Sequence, residues 1–288
     1  MEKTSRRQFI ASLGLAVAAP SCASMVRTTP EASRQEISKP AAKFEFGMAS
    51  YTFRAFSLDE TISFTKRLGL EKISLKSFHL PLDSTPEAIL AAMAKVRTAG
   101  LEPYSGGVIY MKNEQELQQA FDYAKAAGMP IIVGVPNHEL LGLVQKKVQE
   151  YDIRMAIHNH GPTDKLYPTP ESIIEKIKDL DPRIGLCLDV GHAQRSAVDP
   201  AAAAERFFDR LLDVHIKDVT ASSAEGGTVE IGRGVVDIPK FLETLIRLVY
   251  AGTISLEYEK DEKDPLPGAA ESIGYLRGAL AAIDGTKA

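Results

Sequence analysis

Short apolar segments alternate with longer segments of helical periodicity along most of this chain, starting near Phe44. The apolar segments are rich in β-forming residues, and each one ends at a break. The segments between them carry apolar residues at helical spacing, and several end in the Gly that commonly follows a helix. The pattern predicts eight strands, at residues 44–50, 71–76, 102–108, 130–135, 153–159, 184–189, 211–217 and 253–258.

The order of these elements predicts the fold class, an α/β protein with a single (β/α)8 TIM-barrel domain at residues 44–288. Eight β-then-α units in about 240 residues fit a closed barrel better than an open doubly wound sheet. An open sheet that binds dinucleotides would carry a glycine-rich motif after its first strand. The sequence at that place is ASYTFRAF, which contains no glycine.

The first residues have the pattern of an export signal. Paired arginines, Arg6 and Arg7, precede Phe9 and an apolar run that is too short to span a bilayer as a helix. The pattern resembles the twin-arginine signal, so residues 1–24 are predicted to be a signal peptide read by the twin-arginine translocase. An ordinary secretory signal with a chance arginine pair is the alternative. Residues 25–43 are polar and rich in Pro and Ala, which predicts a linker.

Export predicts a periplasmic protein with no stable membrane insertion after the signal is processed. A lipoprotein attached at Cys22 is the less favoured alternative, because the residues before this cysteine fit a lipoprotein box poorly. Cys187 is then the one cysteine of the mature chain, which rules out an intrachain disulfide.

Composition narrows the class of partner. The chain has 288 residues, of which 44% are hydrophobic and 25% charged, and a formal net charge of -4, as in an ordinary soluble globular protein. Charges of both signs are interspersed without a basic run, so the electrostatic footprint of a nucleic-acid-binding protein is missing. A small-molecule ligand fits the chain better.

Every histidine of the chain lies at, or soon after, the end of a predicted strand. In a TIM barrel, these carboxyl ends and the loops that follow them carry the catalytic groups. A functional site is therefore predicted at this end of the barrel, near six histidines: His79, His138, His158, His160, His192 and His215.

Two carboxylates join the histidines at this end. Asp189 ends the apolar sixth predicted strand and Glu257 lies inside the eighth, where an ionised side chain is costly unless it is paired or bound to a metal. Strands five to eight thus offer one group of ligands: His158, Asp189, His215 and Glu257. Two imidazoles and two carboxylates suit Mn²⁺, Zn²⁺, Co²⁺ or Fe²⁺, because the carboxylates offset the charge of the ion. The alternative is a metal-free network of hydrogen bonds between these histidines and carboxylates, which would hold the strand ends together at the barrel rim.

From about Phe44 to the C-terminus the chain resembles the xylose isomerase-like TIM-barrel family. This family contains sugar phosphate isomerases and epimerases, inosose dehydratase-like members and endonuclease IV-like members. The motifs that carry the resemblance are MASYTFR, ISLKSFHLPL, AIHNHGP, LCLDVGHA, DVHIKDV, IGRGVVDI and ISLEYE. In that family a divalent ion is held by ligands from strands five to eight. The resemblance implies that Asp189, His215 and Glu257 are three of these ligands.

The fifth strand departs from the family pattern. Family isomerases and epimerases usually carry Glu there, commonly followed by an Asn-His pair, whereas this chain reads His158-Asn159-His160. The resemblance implies that His158 replaces the glutamate as a metal ligand, and that His160 supports it or touches substrate.

The resemblance also implies a metal-dependent isomerase or epimerase that moves a proton next to the carbonyl group of a sugar. Such reactions typically use two glutamates, one on each side of the reacting carbon. Because His158 replaces one of them, a metal-dependent lyase or hydratase, for example one acting on 3-keto sugars or glycosides, follows closely. A non-catalytic sugar-binding barrel is a further alternative. An endonuclease IV-like activity ranks far lower, because it needs more metal ligands and a basic groove.

Three residues are the predicted catalytic groups at this site. Glu257 is both a ligand and the candidate base. Lys217 lies two residues past His215 on the same strand face, where it would polarise a carbonyl or protonate a leaving hydroxyl group. His160 is the third, since a histidine can also move protons. A surface lysine at a strand end is the alternative for Lys217.

Three further residues are predicted to bind substrate. His192 would hold substrate or orient Asp189. Arg233 lies between two glycines after the seventh predicted strand and would bind an anionic or polyhydroxy substrate, with a solvent-facing loop arginine as the alternative. For His79, substrate contact and plain loop structure are equal alternatives.

Overall fold

Eight parallel strands close into a barrel in the order β1-β10-β7-β6-β5-β4-β3-β2, and helices alternate with them along the chain. The predicted TIM-barrel fold is therefore confirmed. The structure, a computed structural model, describes residues 42–285. The predicted signal peptide, Cys22 and all but the last two residues of the predicted linker lie outside the described residues.

The eight predicted barrel strands are all present. They are β1 (Glu45–Ala49), β2 (Lys72–Leu75), β3 (Glu102–Met111), β4 (Ile131–Pro136), β5 (Arg154–His158), β6 (Ile184–Asp189), β7 (Leu211–Ile216) and β10 (Thr253–Leu256). A short antiparallel pair follows the seventh barrel strand, formed by β8 (Asp218–Val219) and β9 (Thr228–Val229).

The helices cover the outside of the barrel. They are α1 (Leu58–Arg67), α2 (Pro86–Thr98), α3 (Glu114–Ala127), α4 (Leu141–Tyr151), α5 (Pro170–Ile177), α6 (Val190–Arg195), α7 (Pro200–Arg206), α8 (Ile238–Arg247) and α9 (Leu266–Asp284). None of the helices within residues 42–285 is long and apolar enough to cross a membrane.

Local sequence signals set where the helices begin and end. Ser57 and Glu60 form a reciprocal capping box at the start of α1, and the side chain of Asn113 caps α3. The helix α3 ends at Gly128, whose φ of 65° lies in the left-handed region that glycine adopts without steric cost. These signals explain why the helical segments could be identified from the spacing of apolar residues and from the capping residues at the helix ends.

The eighth barrel strand is shorter than predicted. β10 ends at Leu256, which pairs with Met48 of β1 and with Ile216, the last residue of β7. Glu257 therefore lies directly after the strand and not inside it. The apolar run continues past the last paired residue, so hydrophobicity alone overestimates the length of this strand.

Burial explains the apolar character of the strands. All six residues of β4 and all six of β6 are buried, because helices cover the outer face while side chains fill the barrel. Inside the barrel, Tyr104 donates a hydrogen bond to Asp213 at 3.2 Å and shares another with Ser255 at 2.7 Å. By strand alternation, Asp213 and Ser255 lie on the inward face directly below His215 and Glu257.

Candidate active site

Four adjacent barrel strands bring together the four predicted metal ligands. His158 ends β5, Asp189 ends β6, His215 lies near the end of β7, and Glu257 directly follows β10. One ligand atom from each residue lies within 4.8 Å of the others, and all four side chains are buried. The topology places these strands side by side, so the group follows from strand order and not from a local motif.

The register between strands explains why the four side chains meet. Asp189 pairs with His215 across β6 and β7, which puts both at the same height on the rim. Asn159 then fixes this height, because its side chain accepts a bond from Asp189 N at 2.9 Å and donates one to Asp189 O at 3.1 Å. The strand that carries His158 is thereby tied to the strand that carries Asp189.

Unsatisfied polar atoms test whether this group fits a metal ion. Within residues 42–285, the buried side-chain atoms that make no hydrogen bond of good geometry include His158 Nε2, Asp189 Oδ2 and both ring nitrogens of His215. Three of these atoms have only ion-pair contacts: Asp189 Oδ2 lies 3.1 Å from Lys217 Nζ and 3.3 Å from His158 Nε2, and His215 Nδ1 lies 3.5 Å from Glu257 Oε1. Buried polar atoms are normally paired, so several unpaired ligand-type atoms at one point need an explanation. Two imidazoles and two carboxylates form a donor set that binds divalent transition metals, and the residues present therefore fit such an ion.

The two carboxylates of the group are held in the ionised form. Burial alone would raise the pKa of Asp189 and of Glu257, but the Lys217 ammonium beside both holds each pKa well below its usual value. Lys217 Nζ donates to Glu257 Oε2 at 2.7 Å and lies 3.1 Å from Asp189 Oδ2. Both carboxylates are therefore charged at neutral pH, which is the state a metal ligand needs.

Lys217 is itself enclosed by negative charge. Its ammonium also contacts the carboxylate of Glu259, so three carboxylates surround one fully buried cation. Burial lowers the pKa of Lys217, but Asp189 and Glu257 outweigh this effect and raise it well above its usual value. The predicted catalytic lysine thus lies in the site, with its proton firmly held.

His158, which ends the fifth strand, and His160, which follows it, are both neutral at physiological pH. Burial lowers the pKa of His158 to about 4, and burial together with His158 lowers the pKa of His160 to about 3. The Nδ1 atoms of the two rings lie 3.4 Å apart, and His160 Nε2 lies 3.0 Å from the hydroxyl of Tyr110. A neutral His158 can use Nε2 as a metal ligand while Nδ1 faces His160.

Gly191 makes room for the buried stem of Lys217. A Cβ on Gly191 would lie 2.3 Å from Lys217 Cγ and 2.8 Å from Cδ, so any side chain there collides with the lysine. Lys217 cannot move aside without breaking its contacts to Asp189 and Glu257. The glycine of the LCLDVGHA motif is therefore a packing requirement of the charge cluster.

We expect Gly191→Ala to destabilise the protein. Overpacking of this kind costs about 1–3 kcal/mol, which corresponds to a loss of roughly 2–4 °C in Tm per kcal/mol for a chain of this size. Gly142 of α4 is a matched control, because a Cβ there meets no atom within 4 Å. Gly142→Ala should leave Tm unchanged or raise it, since alanine favours the helix by about 0.5–1 kcal/mol. Equal Tm values for the two variants would contradict the packing role of Gly191.

The other predicted site residues lie at different distances from the four-residue group. His192 is close, with its ring 6.0 Å from that of His158 and 5.8 Å from that of His160. Arg233 is exposed at the rim and forms a two-bond ion pair with Glu271, including one bond of 2.7 Å. The guanidinium of Arg233 is thus paired with a protein carboxylate, and its role in binding substrate stays a prediction.

Both ring nitrogens of His79 bind protein atoms. Nδ1 lies 3.0 Å from Ser50 Oγ, and Nε2 lies 2.9 Å from Thr61 Oγ1 and 3.1 Å from Phe53 O. Ser50 Oγ in turn accepts a bond from the backbone N–H of Lys76 at 2.8 Å. In the structure, His79 therefore holds the loop after β2 in place. His138 is also held by protein, because its Nε2 lies 3.1 Å from Leu166 O.

Sequence reasoning missed three residues of the site. Lys76 directly follows β2, Glu259 contacts Lys217, and Tyr110 contacts His160. The third strand was predicted to end at residue 108, whereas β3 extends to Met111. Tyr110 therefore lay outside the predicted strand and was not considered as a site residue. Lys76 and Glu259 each follow a barrel strand closely, and that position is the signal that would have found them.

Fold and site together define a TIM barrel with a buried His/Asp/Glu group, able to hold a divalent ion, at the carboxyl ends of its strands. The model of the xylose isomerase-like TIM barrel family matches residues 62–279. The chain belongs to this family, as its motifs had indicated.

Sequence relatives of the chain match it over part of their length. The rhizopine catabolism protein MocC of Rhizobium meliloti is 28% identical over 145 residues, which cover 45% of this chain and 44% of that protein. An inosose dehydratase of Lacticaseibacillus casei is 24% identical over 222 residues, which cover 61% of this chain and 72% of that enzyme. The chain thus spans less than half the length of the first relative.

Solved structures share the fold. A D-tagatose 3-epimerase-like protein superposes with a TM-score of 0.69 at 21% identity, covering 84% of this chain and 99% of that one. The 3-keto-D-glucoside 4-epimerase of E. coli superposes with a TM-score of 0.66 at 15% identity, covering 82% and 100%. At these identities the likeness concerns the fold alone.

Proposed function

We propose that the chain is a divalent-metal-dependent enzyme that removes a proton from the carbon next to a carbonyl group in a small carbohydrate or related polyhydroxy compound. The observation that carries this proposal is the buried group of His158, Asp189, His215 and Glu257, whose ligand atoms lie within 4.8 Å of one another. A divalent ion held there would act as a Lewis acid and polarise the substrate carbonyl. The acidity of the neighbouring C–H bond rises as a result.

Glu257 is the proposed base. Its carboxylate is ionised at neutral pH and is the only glutamate in the four-residue group. The resemblance to the family implies that isomerases and epimerases usually carry a second glutamate at the place of His158. A site with one carboxylate base favours a reaction in which a single proton is taken from carbon. Epimerisation is less favoured, because it removes a proton on one side of the carbon and returns one on the other.

We therefore propose loss of water as the reaction, which makes the chain a lyase of the dehydratase type. Elimination next to a ketone needs one base at carbon and one acid at the leaving hydroxyl group. The name of the Lacticaseibacillus casei relative, an inosose dehydratase, supports this choice. A cyclic polyhydroxy ketone is the corresponding substrate class.

An isomerase or epimerase reaction is the second candidate, favoured by His160. The imidazole of His160 lies beside that of His158, with the two Nδ1 atoms 3.4 Å apart, so it places a second proton-accepting side chain on its own side of the site. A metal-assisted transfer between Glu257 and His160 would give an isomer in place of a dehydrated product.

A single experiment separates these reactions. The metal-loaded enzyme is incubated in D₂O with an inosose and, separately, with a 3-keto-glucoside, and the products are analysed by mass spectrometry and NMR. Loss of one water supports the lyase, whereas deuterium at the carbon next to the carbonyl in a product of unchanged formula supports the isomerase or epimerase. Binding without turnover in the presence of added Mn²⁺ or Zn²⁺ would favour the non-catalytic sugar-binding alternative.

We also propose that the chain is exported through the twin-arginine translocase, because Arg6 and Arg7 precede Phe9 and a short apolar run. Replacing both arginines with lysine should leave the precursor in the cytoplasm, as measured by fractionation and immunoblotting. A single Lys3→Gln change serves as the control, since Lys3 lies before the arginine pair, and it should still permit export. Periplasmic product from the double-lysine form would contradict the twin-arginine route.

A further inference from the structure

Lys76 lies on the half of the barrel rim that does not carry the four-residue group. It follows β2 directly, between the neighbouring strands β1 and β3. Its ammonium donates a hydrogen bond to the carbonyl of Val108, and lies 5.7 Å from the centre of the Tyr51 ring. The half-buried side chain is thus held in one place by contacts at its charged end.

The ammonium of Lys76 differs from that of Lys217 in its partners. Lys217 contacts three carboxylates, whereas Lys76 has no carboxylate within 4.0 Å among residues 42–285. Burial lowers the pKa of Lys76, and the charge of Glu257 offsets this only in part. Lys76 therefore releases a proton more readily than Lys217, and Glu257 lies within electrostatic range of it.

We propose that Lys76 is the acid that protonates the leaving hydroxyl group while Glu257 takes the proton from carbon. This inference rests on the proposed dehydratase function and names its second catalytic residue. Lys217 keeps Asp189 and Glu257 in place and ionised, which makes it a positioning residue. From the sequence, Lys217 was predicted to polarise a carbonyl or to protonate a leaving hydroxyl group.

Glu257 and Lys76 together account for both proton transfers of the dehydration. Glu257 accepts the proton from the carbon next to the carbonyl, and the C–H electron pair forms an enolate. The enolate re-forms the carbonyl, a carbon–carbon double bond forms, and the bond to the adjacent hydroxyl oxygen breaks. That oxygen takes a proton from the Lys76 ammonium and leaves as water. Solvent then removes the proton from Glu257 and returns one to Lys76, so the net change is the loss of one water.

Aromatic side chains beside Lys76 fit a ring-shaped substrate. The rings of Tyr51 and Phe78 lie 6.0 Å apart, and Phe78 is 59% exposed. Tyr110 is 46% exposed at the end of the adjacent strand β3. Flat apolar surfaces next to a few polar groups are typical of small-molecule sites, and a cyclic polyol presents a matching apolar face.

The test separates proton abstraction from water loss. Wild-type enzyme, Lys76→Met and Lys76→Gln are each incubated with an inosose in D₂O, and deuterium in the remaining substrate is measured beside the dehydrated product. We expect both variants to exchange deuterium within about threefold of wild type while water loss falls about 10²-fold or more. Lys72→Met is the matched control on the same strand, because Lys72 pairs with Glu45 and Glu102 at the opposite end of the barrel. It should retain both activities.

Three results would overturn the inference. If the rates of deuterium exchange and of dehydration fall by the same factor in the Lys76 variants, with metal content unchanged, Lys76 is a binding residue only. Unchanged water loss in both Lys76 variants would remove Lys76 from the mechanism, while the dehydratase function would stand. If the wild-type enzyme converts the inosose to an isomer without loss of water, the proposed function fails first, and the role of Lys76 fails with it.

Discussion

Replacing Glu257 with Gln should lower turnover about 10²- to 10⁴-fold, which is the usual contribution of a general base. The substitution keeps the size of the side chain and an oxygen that can remain near the other ligands, but it removes the ability to accept a proton. Metal content should change less than turnover, because His158, Asp189 and His215 remain. Steady-state kinetics and metal analysis on the same preparation would measure the two effects separately.

Glu259→Gln is the matched control for this prediction. Both glutamates contact the ammonium of Lys217, but Glu257 belongs to the four-residue group and Glu259 does not. If Glu257 is the base, the Glu259 variant should retain most of the activity. Equal losses in the two variants would instead show that Glu257 acts by neutralising Lys217.

The fold was predictable because burial leaves a continuous signal in each strand. The strands β4 and β6 are buried along their whole length, so apolar runs such as PIIVGV and IGLCLD stand out from the helical segments. The ends of the strands were less predictable. β3 continues through Met111 and β10 stops before Glu257, because pairing with neighbouring strands, and not hydrophobicity, decides where a barrel strand ends.

The four-residue group was predictable for a related reason. A carboxylate in an apolar strand, such as Asp189, is costly and points to a special environment, and barrel topology places the ends of adjacent strands together. The partners of Lys217 were not predictable. Its contacts to Asp189 and Glu259 join groups from three strand ends, and the distances between those ends depend on barrel packing that no local pattern records.

A change of Asp189 to Asn should remove the metal ion and abolish turnover. One oxygen of Asp189, Oδ1, accepts a bond from His192 N at 2.7 Å and caps α6, a role that the asparagine oxygen can also fill. The other oxygen, Oδ2, lies 3.3 Å from His158 Nε2 and 3.1 Å from the Lys217 ammonium, so the substitution acts on the contact with His158 and on the ion pair with Lys217. Loss of outer partners of a metal ligand costs about 10–100-fold in affinity, and loss of a charged ligand should cost more.

Asp199→Asn provides the comparison that makes this result specific. Asp199 caps α7 by accepting a bond from Ala201 N at 2.9 Å, and its other oxygen pairs with Lys240 at the surface, away from any metal-type group. Both substitutions remove one charge and keep one helix cap, so any cost to the cap itself should be similar in Tm scans of the metal-free proteins. Only Asp189→Asn should then fail to bind Mn²⁺ or Zn²⁺ in calorimetric titrations. A stoichiometric ion in the Asp189 variant, bound as tightly as in Asp199→Asn, would mean that the ion binds outside the four-residue group. The unpaired atoms of His158 and His215 would then need another partner.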